Sequence, residues 1–322
     1  LARIALDAMG GDYAPAEAVA GAVEAARLGV DVVLVGDRDE LRKELNGHEA
    51  DLPIVEAADT IGMAEDPARA LREKPDSSMS ICAAMVADGR AAGMVSAGST
   101  GAAMAAAAIL VGRIKGVIRP AIASIFPTPG TPTLVLDSGA NPEVTPQQLV
   151  QFAVMGSVAA QILLGVERPR VGLLSIGEEK GKGRDLEKDA YGLLEASGLD
   201  FVGNLEGRDI ATDKADVLVT DGFTGNVFLK TTEGTARMVA QYFLEALSDL
   251  PPEVQGEVFP ALASVRARLD PETYGGAQLL GVRGVTVIAH GASTRVAIAN
   301  ALTMAREGAE NDLPGRIAEQ LG

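Results

Sequence analysis

Residues 4–37 read IALDAMGGDYAPAEAVAGAVEAARLGVDVVLVGD, and this stretch decides the fold. Ile4-Ala5-Leu6-Asp7 is a short apolar run of strand type, ending in the turn Asp7-Ala8-Met9-Gly10-Gly11-Asp12. Residues 16–28 are rich in Ala and other good helix formers, and Gly29 supplies the stop. Residues 31–35, Asp-Val-Val-Leu-Val, form a second strand closed by Gly36-Asp37. Strands apolar on both faces and joined through a helix make a parallel pair that must be covered on both sides.

The same rhythm continues outward. Strands are expected over 53–56, 93–96, 121–126, 133–137, 171–176, 201–205, 217–220 and 285–289. Helices are expected over 38–45, 67–73, 78–88, 101–111, 146–164, 186–196 and 294–309, with a long helix inside 225–250. The prediction is a doubly wound α/β fold: a mostly parallel sheet with helices on both faces, forming one two-lobed domain over 1–322. Right-handed crossovers would place the strand C-terminal ends along one edge, where such folds bind ligands.

Residues 248–273 break the rhythm, with Pro251, Pro252, Pro260 and Pro271 around a helix-like piece. Val254, Val258, Phe259, Leu262 and Val265 recur at helical spacing. This excursion packs on its own lobe or on a partner subunit, or it is a tip that touches a membrane or another protein. The uncharged stretch 91–111 is Ala- and Gly-rich, too weakly apolar to predict a membrane span. No signal peptide is expected from the strand-like start.

Composition narrows the chemistry. Lys plus Arg is 28 and Asp plus Glu is 44, a formal charge of −16, which argues against nucleic acid as a partner. There are two histidines, His48 and His290, one cysteine, Cys82, and no Trp. No disulfide can form within the chain, and a site with several imidazole ligands has almost nothing to use. No metal or cofactor is expected. Backbone amides, hydroxyls, a Lys and a few carboxylates remain.

Glycine-containing turns follow the expected strands, and the candidate ligand-binding residues lie in them. They are Asp7, Gly10 and Gly11; Ser96, Gly98, Ser99, Thr100 and Gly101; Asp137, Gly139 and Asn141; Gly177 and Glu178; Gly222 and Gly225; and His290. Glycine lets the backbone approach a ligand, and a following helix start adds free N–H groups suited to phosphate. The first strand lacks a Gly-x-Gly-x-x-Gly motif. Gly177-Glu178-Glu179-Lys180-Gly181-Lys182-Gly183 falls short of a P-loop by one residue, with Gly183 where a Ser or Thr would hold magnesium. The 177–185 segment is either a solvated charged loop or the carrier of a mobile cation for an oxyanion. Asn226 caps the following helix or donates to an oxyanion.

As a set the turns resemble bacterial phosphate acyltransferases, the PlsX family of phospholipid synthesis. The resemblance rests on IALDAMGGD (4–12), SAGSTGA (96–102), LDSGAN (136–141), GLLSIG (172–177) with Lys182-Gly183, GNLEGRDI (203–210), DGFTGNVFLK (221–230), GGAQLLG (275–281) and His290-Gly291. It implies an isocitrate/isopropylmalate dehydrogenase-like fold, a homodimer, and a cytoplasmic enzyme with weak peripheral membrane contact through 248–273. The implied reaction moves a fatty acyl group from acyl-acyl carrier protein to inorganic phosphate. The acyl phosphate would pass to a glycerol-3-phosphate acyltransferase. Lys182 and Asn226 match the family's catalytic residues. The chain departs from the family pattern at Ser99, Lys180 and Arg184.

A reaction whose nucleophile arrives as phosphate needs no Ser, Cys or His nucleophile. It needs the anion held beside a thioester and an oxyanion stabilised. The rival readings are a phosphotransacetylase using a coenzyme A thioester and a non-catalytic anion- or lipid-binding protein. The carrier protein is itself acidic, so an enzyme of charge −16 must offer it a local basic patch, with Arg184, Lys188, Arg266 and Arg268 as candidates.

Overall fold

The computed structural model describes residues 2–248, 250–251, 254–256, 258–259 and 270–322. Its strands are β1 (Arg3–Asp7), β2 (Asp31–Gly36), β3 (Ile54–Glu56), β4 (Gly93–Ser96), β5 (Ala121–Phe126), β6 (Thr133–Leu136), β7 (Arg170–Leu174), β8 (Asp200–Leu205), β9 (Val217–Val219), β10 (Ala277–Leu280) and β11 (Val285–Ile288). Its helices are α1 (Ala16–Arg27), α2 (Arg38–Gly47), α3 (Pro67–Glu73), α4 (Ser78–Ala87), α5 (Thr100–Ala106), α6 (Pro146–Leu163), α7 (Asp185–Glu195), α8 (Gly222–Ser248), α9 (Arg295–Glu310) and α10 (Leu313–Leu321).

One sheet joins all these strands in the order β3-β2-β1-β4-β11-β10-β5-β6-β9-β7-β8. Alternate residues of each strand feed opposite layers. Ile4 and Leu6 of β1 pack with α1, α2 and α9, while Ala5 faces α3, α4 and α5. In the second lobe, Leu134 and Leu136 of β6 face α6, α7 and α10, while Val135 faces Phe228 and Leu229 of α8. The expected α/β sheet covered on both faces is therefore present.

The strand directions correct one expectation. β1, β2, β3, β4 and β11 are mutually parallel, and so are β6, β7, β8 and β9. Between the two sets, β10 is antiparallel to β11 and to β5, and β5 is antiparallel to β6. An odd number of reversals leaves the two sets pointing in opposite directions. The C-terminal turns of the first lobe thus open on one edge of the sheet, and those of the second lobe on the other. The expectation of a single shared edge fails at the β5–β6 hairpin: the two antiparallel pairings of β10 cancel, so β5 runs with the first set and β6 against it.

Smaller differences have local causes. The helix after β4 rewinds to π geometry over Ala107–Gly112. Helix α8 starts at Gly222, because Asp221 caps it: its carboxylate accepts the Thr224 N–H at 2.8 Å. The unforeseen α10 is signalled by Asp312, whose carboxylate accepts the Gly315 N–H at 3.2 Å, and by Pro314 in the first turn. The stretch 91–111 folds as β4, α5 and the start of the π turn. Among the described residues, no helix is long and apolar enough to cross a membrane. Most of the helix-like piece within 248–273 lies outside the described residues, and so do Leu262, Val265, Arg266 and Arg268.

Candidate active site

At the first-lobe edge, Asp7 ends β1 as a buried carboxylate. It accepts from Ser78 Oγ at 2.6 Å and from Ser96 Oγ at 2.7 Å, and Ser96 Oγ accepts the Gly98 N–H at 3.0 Å. A Cβ at Gly10 would lie 2.6 Å from Asp7 Oδ2 and 2.8 Å from the Gly98 nitrogen, so the turns after β1 and β4 need glycine to meet. Gly11, at φ +112°, lies beside Ala97 and Gly291, and the Asp12 N–H donates to the Gly291 carbonyl at 2.7 Å. Ser99 precedes α5 without capping it, Thr100 is exposed, and Gly101 faces Pro67. His290 is exposed, and its Nδ1 accepts the Ala292 N–H at 3.2 Å, as a turn residue does.

Asp7 makes a pH prediction. Burial pushes its carboxyl above the ordinary range, and hydrogen bonds from Ser78 and Ser96 only partly offset this. The folded state therefore keeps this proton to higher pH than the unfolded chain. Its stabilising contribution is complete below the ordinary value near about 3.9 and is lost as pH rises through the raised one. Asp7→Asn removes that loss while one amide oxygen and one N–H still serve the two hydroxyls. Urea unfolding from about pH 4 to pH 7 should show wild type losing stability relative to the variant as pH rises. Parallel curves would remove Asp7 as the cause. Asp137 is shifted the same way by burial in both proteins and cancels in the difference.

At the second-lobe edge, Asp137 follows β6. Its Oδ1 accepts the N–H groups of Ile122, Gly139 and Ala140 at 3.1, 3.2 and 2.9 Å. Its Oδ2 accepts the Asn141 N–H at 2.7 Å and Asn141 Nδ2 at 2.8 Å. The start of α8 is pressed against this turn. The Gly222 N–H donates to the Asn141 carbonyl at 2.8 Å, and a Cβ there would lie 2.7 Å from the Asn141 nitrogen. A Cβ at Gly225 would strike the Asp137 carbonyl. These contacts seat Asn226 over Gly139: a Cβ on Gly139 would lie 3.7 Å from Asn226 Cβ. Because Asp221 is the cap, Asn226 stands a full turn inside α8. Its side chain is exposed, with no hydrogen-bond partner among the described residues.

The loop after β7 brings the cations. Asn204 Nδ2 and the Lys182 N–H both donate to the Glu179 carbonyl, each at 2.9 Å, and this sets the turn. Gly177 leaves room for the Lys182 stem, since a Cβ there would lie 2.9 Å from Lys182 Cγ. Lys180 pairs with Glu195 at 2.6 Å and stands over the Tyr191 ring, 4.9 Å from its centre. Lys214 holds Glu178 at 2.7 Å and Asp209 at 2.8 Å. Arg184 is shared between Glu187 and Asp221. Burial pushes the Asp221 carboxyl up, but the Thr224 N–H and Arg184 outweigh it and hold it below the ordinary range. Among the described residues no carboxylate lies within 4 Å of the Lys182 ammonium, which leaves it exposed and unpaired on this loop.

The predicted residues therefore sort into two groups. Asp7, Gly10, Gly11, Ser96, Gly98, Ser99, Thr100, Gly101 and His290 lie at the first-lobe edge. Asp137, Gly139, Asn141, Gly177, Glu178, Lys182, Gly222, Gly225 and Asn226 lie at the second. Asn204 was missed, although it stands inside GNLEGRDI; a buried amide at a strand end just before a glycine-rich turn was the available signal. Ser175 Oγ and Asn204 Oδ1 are buried there without a hydrogen-bond partner among the described residues.

A family model described as "Fatty acid synthesis protein" matches residues 2–316. The phosphate acyltransferase of Desulforamulus reducens is 47% identical over 323 residues, covering 99% of this chain and 97% of that one. That of Heliobacterium modesticaldum is 48% identical over 326 residues, with the same coverage of 99% and 97%. Among solved structures, a phosphotransacetylase from Streptococcus pyogenes superposes at TM-score 0.63 and 18% identity, covering 95% of this chain and 94% of that one. A 4-hydroxythreonine-4-phosphate dehydrogenase from Klebsiella pneumoniae does so at 0.52 and 15%, covering 96% and 100%. At these identities the structures establish the α/β fold alone. The sequence match spans nearly the whole of both chains, and by it the chain belongs to the family of fatty acid synthesis proteins that includes these phosphate acyltransferases.

Proposed function

We propose that this enzyme transfers a fatty acyl group from the thioester of acyl carrier protein to inorganic phosphate, and that Lys182 and Asn226 carry the reaction. The observation that supports this reading most is the pairing pattern at the second-lobe edge. Lys180, Arg184 and Lys214 are held by carboxylates, while the Lys182 ammonium and the Asn226 amide have no such partner among the described residues.

A phosphate oxygen attacks the thioester carbonyl carbon and a tetrahedral oxyanion forms. The C–S bond then breaks, giving acyl phosphate and the carrier thiolate, which takes a proton from water. Lys182 and the backbone N–H groups of the turn hold the phosphate dianion. Asn226 donates to the oxyanion, where a fixed donor is worth most. A thiolate is a good leaving group, so no strong acid is required.

The first-lobe turns open on the opposite edge, so in one protomer they do not share this phosphate. We assign Asp7, Ser96 and their glycines to holding β1, β4 and α4 together. The finer expectations stay with this reading: an isocitrate/isopropylmalate dehydrogenase-like subclass, one two-lobed domain, a homodimer, a cytoplasmic location with weak membrane contact through 248–273, and a downstream glycerol-3-phosphate acyltransferase.

The test is direct. Purified protein, palmitoyl-acyl carrier protein and phosphate should yield acyl phosphate, trapped as the hydroxamate. No product at several chain lengths sinks the reading. Faster turnover of acetyl-coenzyme A would put a phosphotransacetylase in its place.

A further inference from the structure

Segment 113–119 joins the π turn to β5 at the second-lobe edge. Ile114 and Val117 are buried in the core, while Arg113, Lys115, Ile118 and Arg119 are exposed. Gln151 of α6 clamps the loop: Nε2 donates to the Gly116 carbonyl at 2.8 Å, and Oε1 accepts the Ile118 N–H at 2.9 Å. The β10–β11 turn adds Arg283. Its N–H donates to the Gly112 carbonyl at 2.8 Å, and its Nε to the Val111 carbonyl at 3.0 Å. None of Arg113, Lys115, Arg119 and Arg283 has a carboxylate within 4 Å among the described residues. Ile118 is exposed beside Arg119 in the chain, and its carbonyl accepts from Arg113 Nη1 at 2.5 Å. Of the other candidate cations, the two that the structure describes are paired: Arg184 with Glu187 and Asp221, and Lys188 with Asp185 at 3.7 Å.

The cluster also adjoins the proposed site. Asn141 Nδ2 donates to the Pro120 carbonyl at 2.8 Å, one residue beyond Arg119, and the Asp137–Asn141 turn lies beneath Asn226. We propose that Arg113, Lys115, Arg119 and Arg283 form the docking surface for the acidic carrier protein, with Ile118 as its apolar centre. Unpaired positive charge on a chain of −16 is complementary to an acidic partner and repels the rest of its own kind least there. A surface beside the site suits a partner that must present a thioester to it, whereas a membrane would impose no such adjacency.

This inference rests on the acyl-carrier reading, and the experiment separates the two. In Lys115→Glu/Arg119→Glu, both changes are exposed and leave the clamp intact. KM for acyl-acyl carrier protein should rise at least about tenfold while turnover of a short acyl-pantetheine thioester stays within about twofold. Wild-type affinity for the carrier should fall with added salt, and the variant's should fall less. Fluorescence anisotropy of labelled holo-carrier, with no acyl group, gives the same comparison without chemistry. If wild type makes no acyl phosphate, the proposed function falls, and anisotropy still decides the surface. Unchanged carrier binding overturns the proposal. So does a variant that loses binding to anionic vesicles instead, or one whose oligomeric state changes with equal loss on both substrates.

Discussion

Lys182→Ala should lower acyl phosphate formation by about two orders of magnitude and leave the unfolding midpoint where it was. The size follows from the loss of one fixed charge-stabilising donor at an acyl-transfer site, equivalent to about 2.7 kcal/mol of transition-state stabilisation. The absence of a stability effect follows from the pairing pattern. An exposed ammonium with no carboxylate partner among the described residues contributes little to folding. The paired neighbour makes a control. Lys180→Ala breaks the exposed pair with Glu195, and its activity should stay within about threefold of wild type. Holding phosphate before attack would appear as a raised phosphate KM, and action only on the transition state as a lowered kcat at unchanged KM. Wild-type kinetics for Lys182→Ala would remove the residue from the mechanism.

Asn226 yields an ordering of variants. Asn226→Ala should cost at least about tenfold in kcat, and Asn226→Asp should cost more, because a carboxylate would face both phosphate and the developing oxyanion. If the amide served only the helix, neither variant would lower kcat, since a full turn inside α8 the residue caps nothing. Asp221 already caps α8 through Thr224, so both variants should unfold at the wild-type denaturant concentration. Asn226→Asp at least as active as Asn226→Ala, measured with saturating acyl donor, would refute the oxyanion role.

Much of the fold was legible because its elements are locally consistent. The 4–37 unit, the strands apolar on both faces and the capped helices each carry their own signal. The sheet reverses at the β5–β6 hairpin, and the expectation of one shared edge did not carry that reversal through. The extra strand β10 was not legible: residues 277–280 lie between Gly275-Gly276 and Gly281, too short a run for periodicity to register. Direction of pairing is in any case a tertiary choice. The site was half legible. The glycines at 222 and 225 announced a close approach, and the partner in that approach, the Asp137–Asn141 turn, lies far away in sequence. Lys182 could not be told from Lys180 by composition. Only the positions of Glu195, Glu178 and Glu187 reveal which cation of the loop is free.

The opposed strand sets have an electrical consequence. Helices α1, α2, α5 and α9 follow strands of the first set, and α6, α7 and α8 follow strands of the second, so their N-termini point to opposite edges. Their backbone macrodipoles therefore largely cancel across the molecule, while each edge keeps its own local positive pole. A charged partner approaching from afar feels almost no orienting torque from the backbone. Its long-range steering is left to the uneven distribution of side-chain charge, so a few exposed cations on an otherwise acidic surface set the direction of encounter.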